Sequence, residues 1–255
     1  MTKEKLQEVL ELHKKWLNGE EDGIKANLKG ANLEDADLGD SDLRYANLEG
    51  ANLEGANLYG ADLRDIDLED TILYGANLKN TNLYRANLKG ANLEDVDLSY
   101  AGLYGANLKD ADLEGANLSY ANLRYTNLEG TILEDADLRC AILRGADLYK
   151  ADLRNADLSN ADLEHVDLRG ADLRNANLYN TNLDYSCLPL WCGSLGVHFD
   201  DKQIIQFLYH TLYNVAFSKN VSQELKEKLL TKDLIEIANK FHREECKRIE
   251  VLGNE

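Results

Sequence analysis

One proline, four scattered cysteines and no uninterrupted apolar segment make sparse punctuation for a chain of 255 residues. Cys140, Cys187, Cys192 and Cys246 do not resemble a disulfide framework, and a reducing compartment suits them. The N-terminal stretch MTKEKLQEVLELHKKWLNG has neither an apolar region nor a small-residue cleavage site. No secretion signal or membrane anchor is therefore expected, and the expected location is the cytoplasm. Phosphate-cradling loops and nucleophile elbows are missing too. No pair of carboxylates stands apart from the many others, and His165, the only histidine within residues 26–185, falls at a turn position where a solvated side chain is the plain reading. The chain is expected not to be an enzyme and to need no cofactor.

Basic residues are also in deficit, 28 against 46 acidic, for a formal net charge of -18. Residues 26–185 alone hold 30 acids and 14 bases, a balance of -16. Such a field repels nucleic acid and anionic membrane surfaces and attracts a basic protein surface, so direct nucleic-acid or membrane binding is not expected. Solubility of a long repetitive surface would by itself require the same charge.

What is present is a beat of five. From Leu28 to Leu183 leucine stands at every fifth position, thirty-two in succession. A short fixed period means a solenoid, and a period of five fits neither an amphipathic helix nor an array of helix pairs. The residue two before each leucine is Ala in 23 of the 32 repeats and otherwise Ser, Thr, Val or Ile, small enough to share the interior. The residue just before leucine is mostly Asn or Asp. The two that follow are Glu, Lys, Arg, Tyr, Gly, Asp or Asn. Inside, outside, inside, outside, outside reads as a strand fragment and a tight turn, with Gly, Asn and Asp second after leucine suited to unusual backbone angles. A flat-sided rod filled with leucine offers no pocket.

The stretches ANLEG at 51–55, ADLRN at 151–155 and ANLSY at 116–120 match A(D/N)LXX almost verbatim. In this the chain resembles the pentapeptide-repeat family over about 160 residues. The resemblance implies an all-β solenoid, a right-handed four-sided parallel β-helix with four repeats per coil and about eight coils. It also implies a function. Some family members resemble a DNA duplex in width and charge and bind DNA gyrase or a related topoisomerase, inhibiting or protecting it. Two departures are visible here: an arginine column interrupts the acidity, and no loop insertion breaks the repeats.

A 20-residue coil makes outward side chains 20 apart stack in columns. Glu34, Glu54, Glu94, Glu114 and Glu134 share one column, interrupted by Tyr74 and ended by Arg154 and Arg174. Arg44, Arg64, Arg124 and Arg144 share another with Tyr84 and Tyr104, and Tyr100 and Tyr120 are expected to stack one coil apart. Ten residues separate the acidic and basic columns, which puts them on opposite sides of the square. The five glutamates are the candidate interaction face, and an acidic scaffold for an unidentified basic partner is the leading expectation.

Outside the repeats the text changes. Residues 2–18 read as a helix with Leu6, Val9, Leu10, His13, Trp16 and Leu17 on one face, Thr2 as its cap and Gly19 as its end, so 1–23 is expected to form an N-terminal helical cap. Residues 24–188 are expected to form the β-helix, with Pro189, unable to donate to a ladder, marking its exit. Residues 189–255 read as a C-terminal α-helical module, with Asp200 or Asp201, Ser222 and Thr231 opening its helices. The second carries Leu225 and Leu229, and the third places Leu234, Ala238, Phe241 and Ile249 toward one side. The helical segments cover open strand edges at both ends, leaving a monomer or a dimer through the C-terminal module. Cys187, Cys192, His198, His210, His242 and Cys246 could supply zinc ligands, but Cys-x4-Cys is looser than a zinc knuckle, and no metal is expected.

Overall fold

Each repeat has five backbone N–H groups, and a buried or half-buried one without an acceptor is costly. The sequence supplies all five acceptors, as residues 47–51 show. Asn47 N–H donates to Ala26 O at 3.1 Å in the coil before, while Leu48 and Gly50 donate to Asp67 O and Glu69 O in the coil after, each at 2.8 Å. Ala51 N–H closes the turn on Leu48 O at 2.9 Å. The fifth, Glu49 N–H, donates to the side-chain Oδ1 of Asn47 at 2.9 Å. That last bond explains the Asn or Asp before most of the leucines.

The computed structural model describes residues 1–183, 186, 208, 212 and 222–238. It divides into two compact units, residues 1–198 and 199–255. In the first, residue n pairs in parallel with residue n+20, from Asn27 with Asn47 through Asp162 with Asn182. The coil is therefore four-sided, with twenty residues per turn. The pairings are single-residue bridges, and among the described residues no longer strand forms. The reason is local: every second residue after leucine, from 30 to 180, has a left-handed backbone with φ between 53° and 75°, which ends each extended fragment. Gly, Asp and Asn dominate these positions because they enter that region at least cost.

Every leucine of the series is at most 3% exposed, and the small residue two before it is nearly always buried as well. Threonines at the small position satisfy their hydroxyls inside: Thr71 donates to Leu48 O at 3.0 Å and Thr126 to Leu103 O at 2.9 Å. The polar groups of the interior are thus bonded internally.

Helix α1 spans Lys3–Leu17, with Thr2 Oγ1 accepting from Lys5 N–H at 3.3 Å and Gly19 at φ 75° beyond its end. It lies against the first coil. Ile24 N–H donates to Leu12 O at 2.9 Å, and the Met1 ammonium donates to Asn32 O at 2.6 Å. His13 is fully buried, and its Nδ1 accepts from Ala26 N–H at 3.0 Å. Its ring stacks on Trp16 at 5.6 Å, and Trp16 in turn meets Tyr45 edge-on at 6.2 Å.

In the second unit, α2 (Gln223–Leu229) and α3 (Lys232–Ala238) begin at Ser222 and Thr231, whose hydroxyls accept from Leu225 N–H at 3.3 Å and Leu234 N–H at 3.4 Å. Ile235, Leu230 and Leu212 are buried there. Leu225 is 45% exposed, and Leu234 is only half-buried where Ile235 is 2% exposed. Seven-residue helices are too short for periodicity to fix the inward direction. The possible helix opened at Asp200 or Asp201, the exit at Pro189, and Cys187, Cys192, His198, His210, His242 and Cys246 lie outside the described residues, apart from Leu208 and Leu212 of that helix.

Candidate interaction faces

The parallel bridges sort the outward residues into four faces, and the four differ in how they satisfy themselves. Face 1 carries residues 26–30 and every twentieth residue on; faces 2, 3 and 4 start likewise from 31–35, 36–40 and 41–45. Face 1 is laced by ion pairs between adjacent coils: Lys29 with Glu49 at 2.7 Å, Lys89 with Glu69 at 2.9 Å, and Lys109 with Glu129 at 2.9 Å. Face 3 is laced by amides, Asn57 donating to Asp37 at 2.9 Å, Asn77 to Asn57 at 3.2 Å and Asn117 to Asp97 at 3.3 Å. An asparagine one coil on gives each acceptor a donor, which a stack of aspartates could not do. Tyr100 and Tyr120, also on face 3, stack at 5.0 Å with rings 2° apart, as their spacing predicts, and stay about half exposed.

Face 2 brings the five candidate glutamates onto one side but into unlike surroundings. Glu34 borders a hollow against α1 with Asp35, Leu6 and Met1. Tyr74, exposed, separates Glu34 and Glu54 from the run Glu94, Glu114, Glu134. Glu134 is paired with Arg154 and is not a free charge. Glu114 sits between Glu94 and Glu134 with Asp112 and Asp135 beside it. Desolvation and then these like charges raise its carboxyl above the ordinary carboxylate range.

Face 4 corrects the simple picture of a basic column. Arg44 clasps Asp42 through Nε and Nη2, both at 2.7 Å, and Arg64 clasps Asp62 at 2.8 and 2.6 Å. The same clasp recurs in Arg139 with Asp137, Arg169 with Asp167 and Arg174 with Asp172, and in each case the arginine holds its aspartate below the usual carboxylate range. The sequence signal is the triplet Asp-Leu-Arg, whose first and third residues point outward together. These arginines cancel aspartates of their own repeat and leave little net positive charge. Arg124 and Arg144 follow Asn122 and Ile142 and are different. Arg144 reaches Glu164 at 2.5 Å in the next coil, and Arg124 makes no ion pair among the described residues.

Sequence reading passed over four positions where the residue before leucine is neither Asn nor Asp. These are Ile72 and Ile132 on face 2, and Gly102 and Ile142 on face 4. At all the other repeats from 27 to 177 the side chain there accepts the N–H two residues on, for example Asn52 from Glu54 at 3.0 Å and Asn122 from Arg124 at 3.4 Å. The N–H groups of Tyr74, Tyr104, Glu134 and Arg144 have no such acceptor. Every lapse falls on faces 2 and 4, which are opposite each other.

The rod was expected to offer no pocket. Two hollows of about 500 and 360 Å³ nevertheless open where α1 meets the first coil, one beside Glu34 and the other beside Leu17 and Ser41. A helix cannot follow the flat side of a square coil, and the mismatch leaves space. Among the described residues no cluster of His, Cys, Asp or Glu has the arrangement of a metal site, and no helix is long and apolar enough to cross a membrane.

Comparison with known proteins agrees with this geometry. The family model for pentapeptide repeats matches in eight copies over stretches that include 24–60, 51–90, 97–135, 116–155 and 156–189. Among solved structures, HetL, a pentapeptide-repeat protein involved in heterocyst differentiation regulation from the cyanobacterium Nostoc sp. strain PCC 7120, is 31% identical, over 74% of this chain and 93% of that one, with a TM-score of 0.29. Trypsin-treated QnrB1, a plasmid-mediated fluoroquinolone resistance protein, is 19% identical over 73% and 95% of the two chains, with a TM-score of 0.44. Rfr23 from the cyanobacterium Cyanothece 51142 is 32% identical over 51% and 86%, with a TM-score of 0.25. No curated protein sequence matches. On the strength of the matched repeats, which cover most of the chain, the protein belongs to the pentapeptide-repeat family, whose members form right-handed quadrilateral β-helices.

Proposed function

We propose that this protein is a non-catalytic acidic rod that works as a protein-interaction scaffold in the cytoplasm, with α1 closing the N-terminal edge of the coil. The observation that carries this reading is the contrast between faces. Faces 1 and 3 spend their polar groups on one another, whereas face 2 presents Glu94 and Glu114 without a basic neighbour of their own. A column of carboxylates one coil apart attracts a basic protein surface, and α1 covers backbone that would otherwise recruit a strand. A pull-down from native lysate tests it, with Glu54, Glu94 and Glu114 replaced by Lys in a parallel sample. The partner bound by the unaltered protein should be lost from the substituted one; equal capture by both removes face 2 from the proposal.

A second reading is a DNA mimic directed at gyrase or a related topoisomerase, favoured by the balance of -16 over residues 26–185. The acid-free part of face 4 weighs against it, since a duplex is negative on every side. A gyrase supercoiling assay decides: inhibition or protection at stoichiometric protein supports mimicry, and unchanged supercoiling at large excess ends it.

A further inference from the structure

Faces 2 and 4 match each other. On face 4 the four consecutive segments 81–85, 101–105, 121–125 and 141–145 contain no aspartate or glutamate, and they hold Arg124, which has no ion pair among the described residues, with Arg85 and Arg144 at the edges of the window, paired to Asp65 at 3.6 Å and Glu164 at 2.5 Å in the flanking coils. Tyr84 and Tyr104 stack there at 5.7 Å, and Tyr125 meets Tyr104 edge-on at 5.4 Å, with all three rings at least 39% exposed. On face 2, at the same height, segments 91–95, 111–115 and 131–135 hold six carboxylates and no lysine or arginine, and of the six only Glu134 is taken up by an arginine, Arg154 of the next coil. The exposed side chains Ile72, Tyr74 and Ile132 lie along that side. One side offers hydroxyls, guanidiniums and the unaccepted N–H groups of Tyr104 and Arg144. The other offers carboxylates and apolar carbon.

We infer that face 4 of one molecule docks side by side on face 2 of a second copy, with the arginine–tyrosine window of one rod against the Glu94–Glu114 run of the next. The inference rests on the reading of face 2 as an acceptor of basic surface and names its occupant. Three observations point to a copy of this chain rather than an unrelated protein. Both columns rise by one coil per group, about 4.8 Å, a spacing that a second rod reproduces without adjustment. The windows occupy the same coils, so a sideways shift with no slide aligns them. And Asn or Asp before leucine is abandoned only on these two faces, where apolar or bare backbone contact with another surface replaces a bond made everywhere else.

The net charge of -18 does not forbid the contact. At physiological salt the screening length is about 8 Å, so the groups that meet outweigh those on the far sides. Four coils at about 4.8 Å make a window roughly 19 Å tall, a small contact, which makes the association concentration-dependent. Its two sides differ, so the contact is head-to-tail and can propagate into rows.

Sedimentation velocity of the pure full-length protein, from about 10 to about 500 µM, tests this. The sedimentation coefficient should climb with concentration in about 50 mM salt and stop climbing in about 500 mM. Arg124→Glu/Arg144→Glu and, separately, Glu94→Lys/Glu114→Lys should each stay monomeric, with circular dichroism confirming the fold. Mixed one to one they should associate again, because each now carries the charge that the other's window requires. A wild type that stays monomeric throughout, or a mixture that fails to associate while both variants are folded, overturns the inference. Either result leaves a lysate partner lost on substitution of face 2 as separate support for the scaffold reading.

Discussion

An isoleucine before leucine gives up a hydrogen bond that asparagine would make, and the chain shows what that bond needs. Ile132 is 38% exposed, so Ile132→Asn gives up only part of an isoleucine's burial, while Glu134 N–H gains the acceptor found at most other repeats. The substitution should raise stability by about 0.5–1.5 kcal/mol and move the thermal midpoint up by a few degrees. An unchanged or lower midpoint would mean that water already serves that N–H. The left-handed positions make a second case. Gly75 and Gly90 have φ 62° and 66°, but a Cβ on Gly75 meets open space while one on Gly90 would lie 2.4 Å from Asp70 Oδ1. Gly75→Ala should cost about 1–2 kcal/mol in backbone strain, and Gly90→Ala about 1 kcal/mol more for the displaced carboxylate. In an Asp70→Ala background the excess should vanish, so equal costs with and without Asp70 would refute the contact. This pairing was legible in retrospect. Asp35, Asp40, Asp70, Asp95 and Asp110 are each followed twenty residues on by glycine, a pattern visible only once the coil length is known.

Helix α1 shows where periodicity stops informing. Its limits, its Thr2 cap and most of its inward face follow from spacing, because those depend on neighbours in sequence; Trp16, placed on that face by spacing, is 37% exposed. That His13 accepts from Ala26 N–H depends on the meeting of two elements, and nothing in a helical wheel distinguishes a packing histidine from an acceptor. Burial lowers the His13 pKa from 6.5, partly opposed by Asp42 and the Arg44 backbone, while the Lys25 and Arg44 charges also lower it. The neutral ring is the bonded form, so the sign follows: the unfolded or undocked state protonates first. The contribution of His13 is complete above its free pKa of 6.5 and declines as pH falls from there toward the lowered bound value. Trp16, stacked on His13, reports the change. In a Trp191→Phe background its fluorescence between about pH 8 and pH 5 should show a transition below about 6.5, and His13→Gln, which can still accept from Ala26, should flatten it. A transition that persists in His13→Gln would assign the pH dependence elsewhere. The starts of the short helices α2 and α3 follow from Ser222 and Thr231, but two turns constrain direction too weakly for spacing to say which of their leucines is buried.

At the scale of the molecule two periods coexist, and they can be separated. The backbone knows only five: each repeat donates its N–H groups in the same pattern, and each places leucine inside, whichever face it occupies. The surface adds twenty, because beyond the clasps within a repeat, ion pairs, amide ladders and ring stacks join residues one full coil apart. The fold was legible from the first period, which survives in composition alone. The faces were only half legible, because a column reveals charge but not which arginine already clasps its own aspartate. Deleting residues 106–110 tests the separation. The later repeats then advance by one side of the square, so Arg124 and Arg144 leave the side of Tyr84 and Tyr104, and Glu114 leaves the side of Glu94. The backbone ladder closes over the gap, since the repeats on either side bond alike, and stability should fall by about one repeat's share, a few degrees in thermal midpoint. Side-by-side association should be abolished all the same. Deleting 107–110 removes one residue fewer yet puts every later leucine out of step with the coil beneath it, and the β-helix should lose cooperative melting by circular dichroism. If the four-residue deletion melts like the five-residue one, the leucine spine is not what sets the winding.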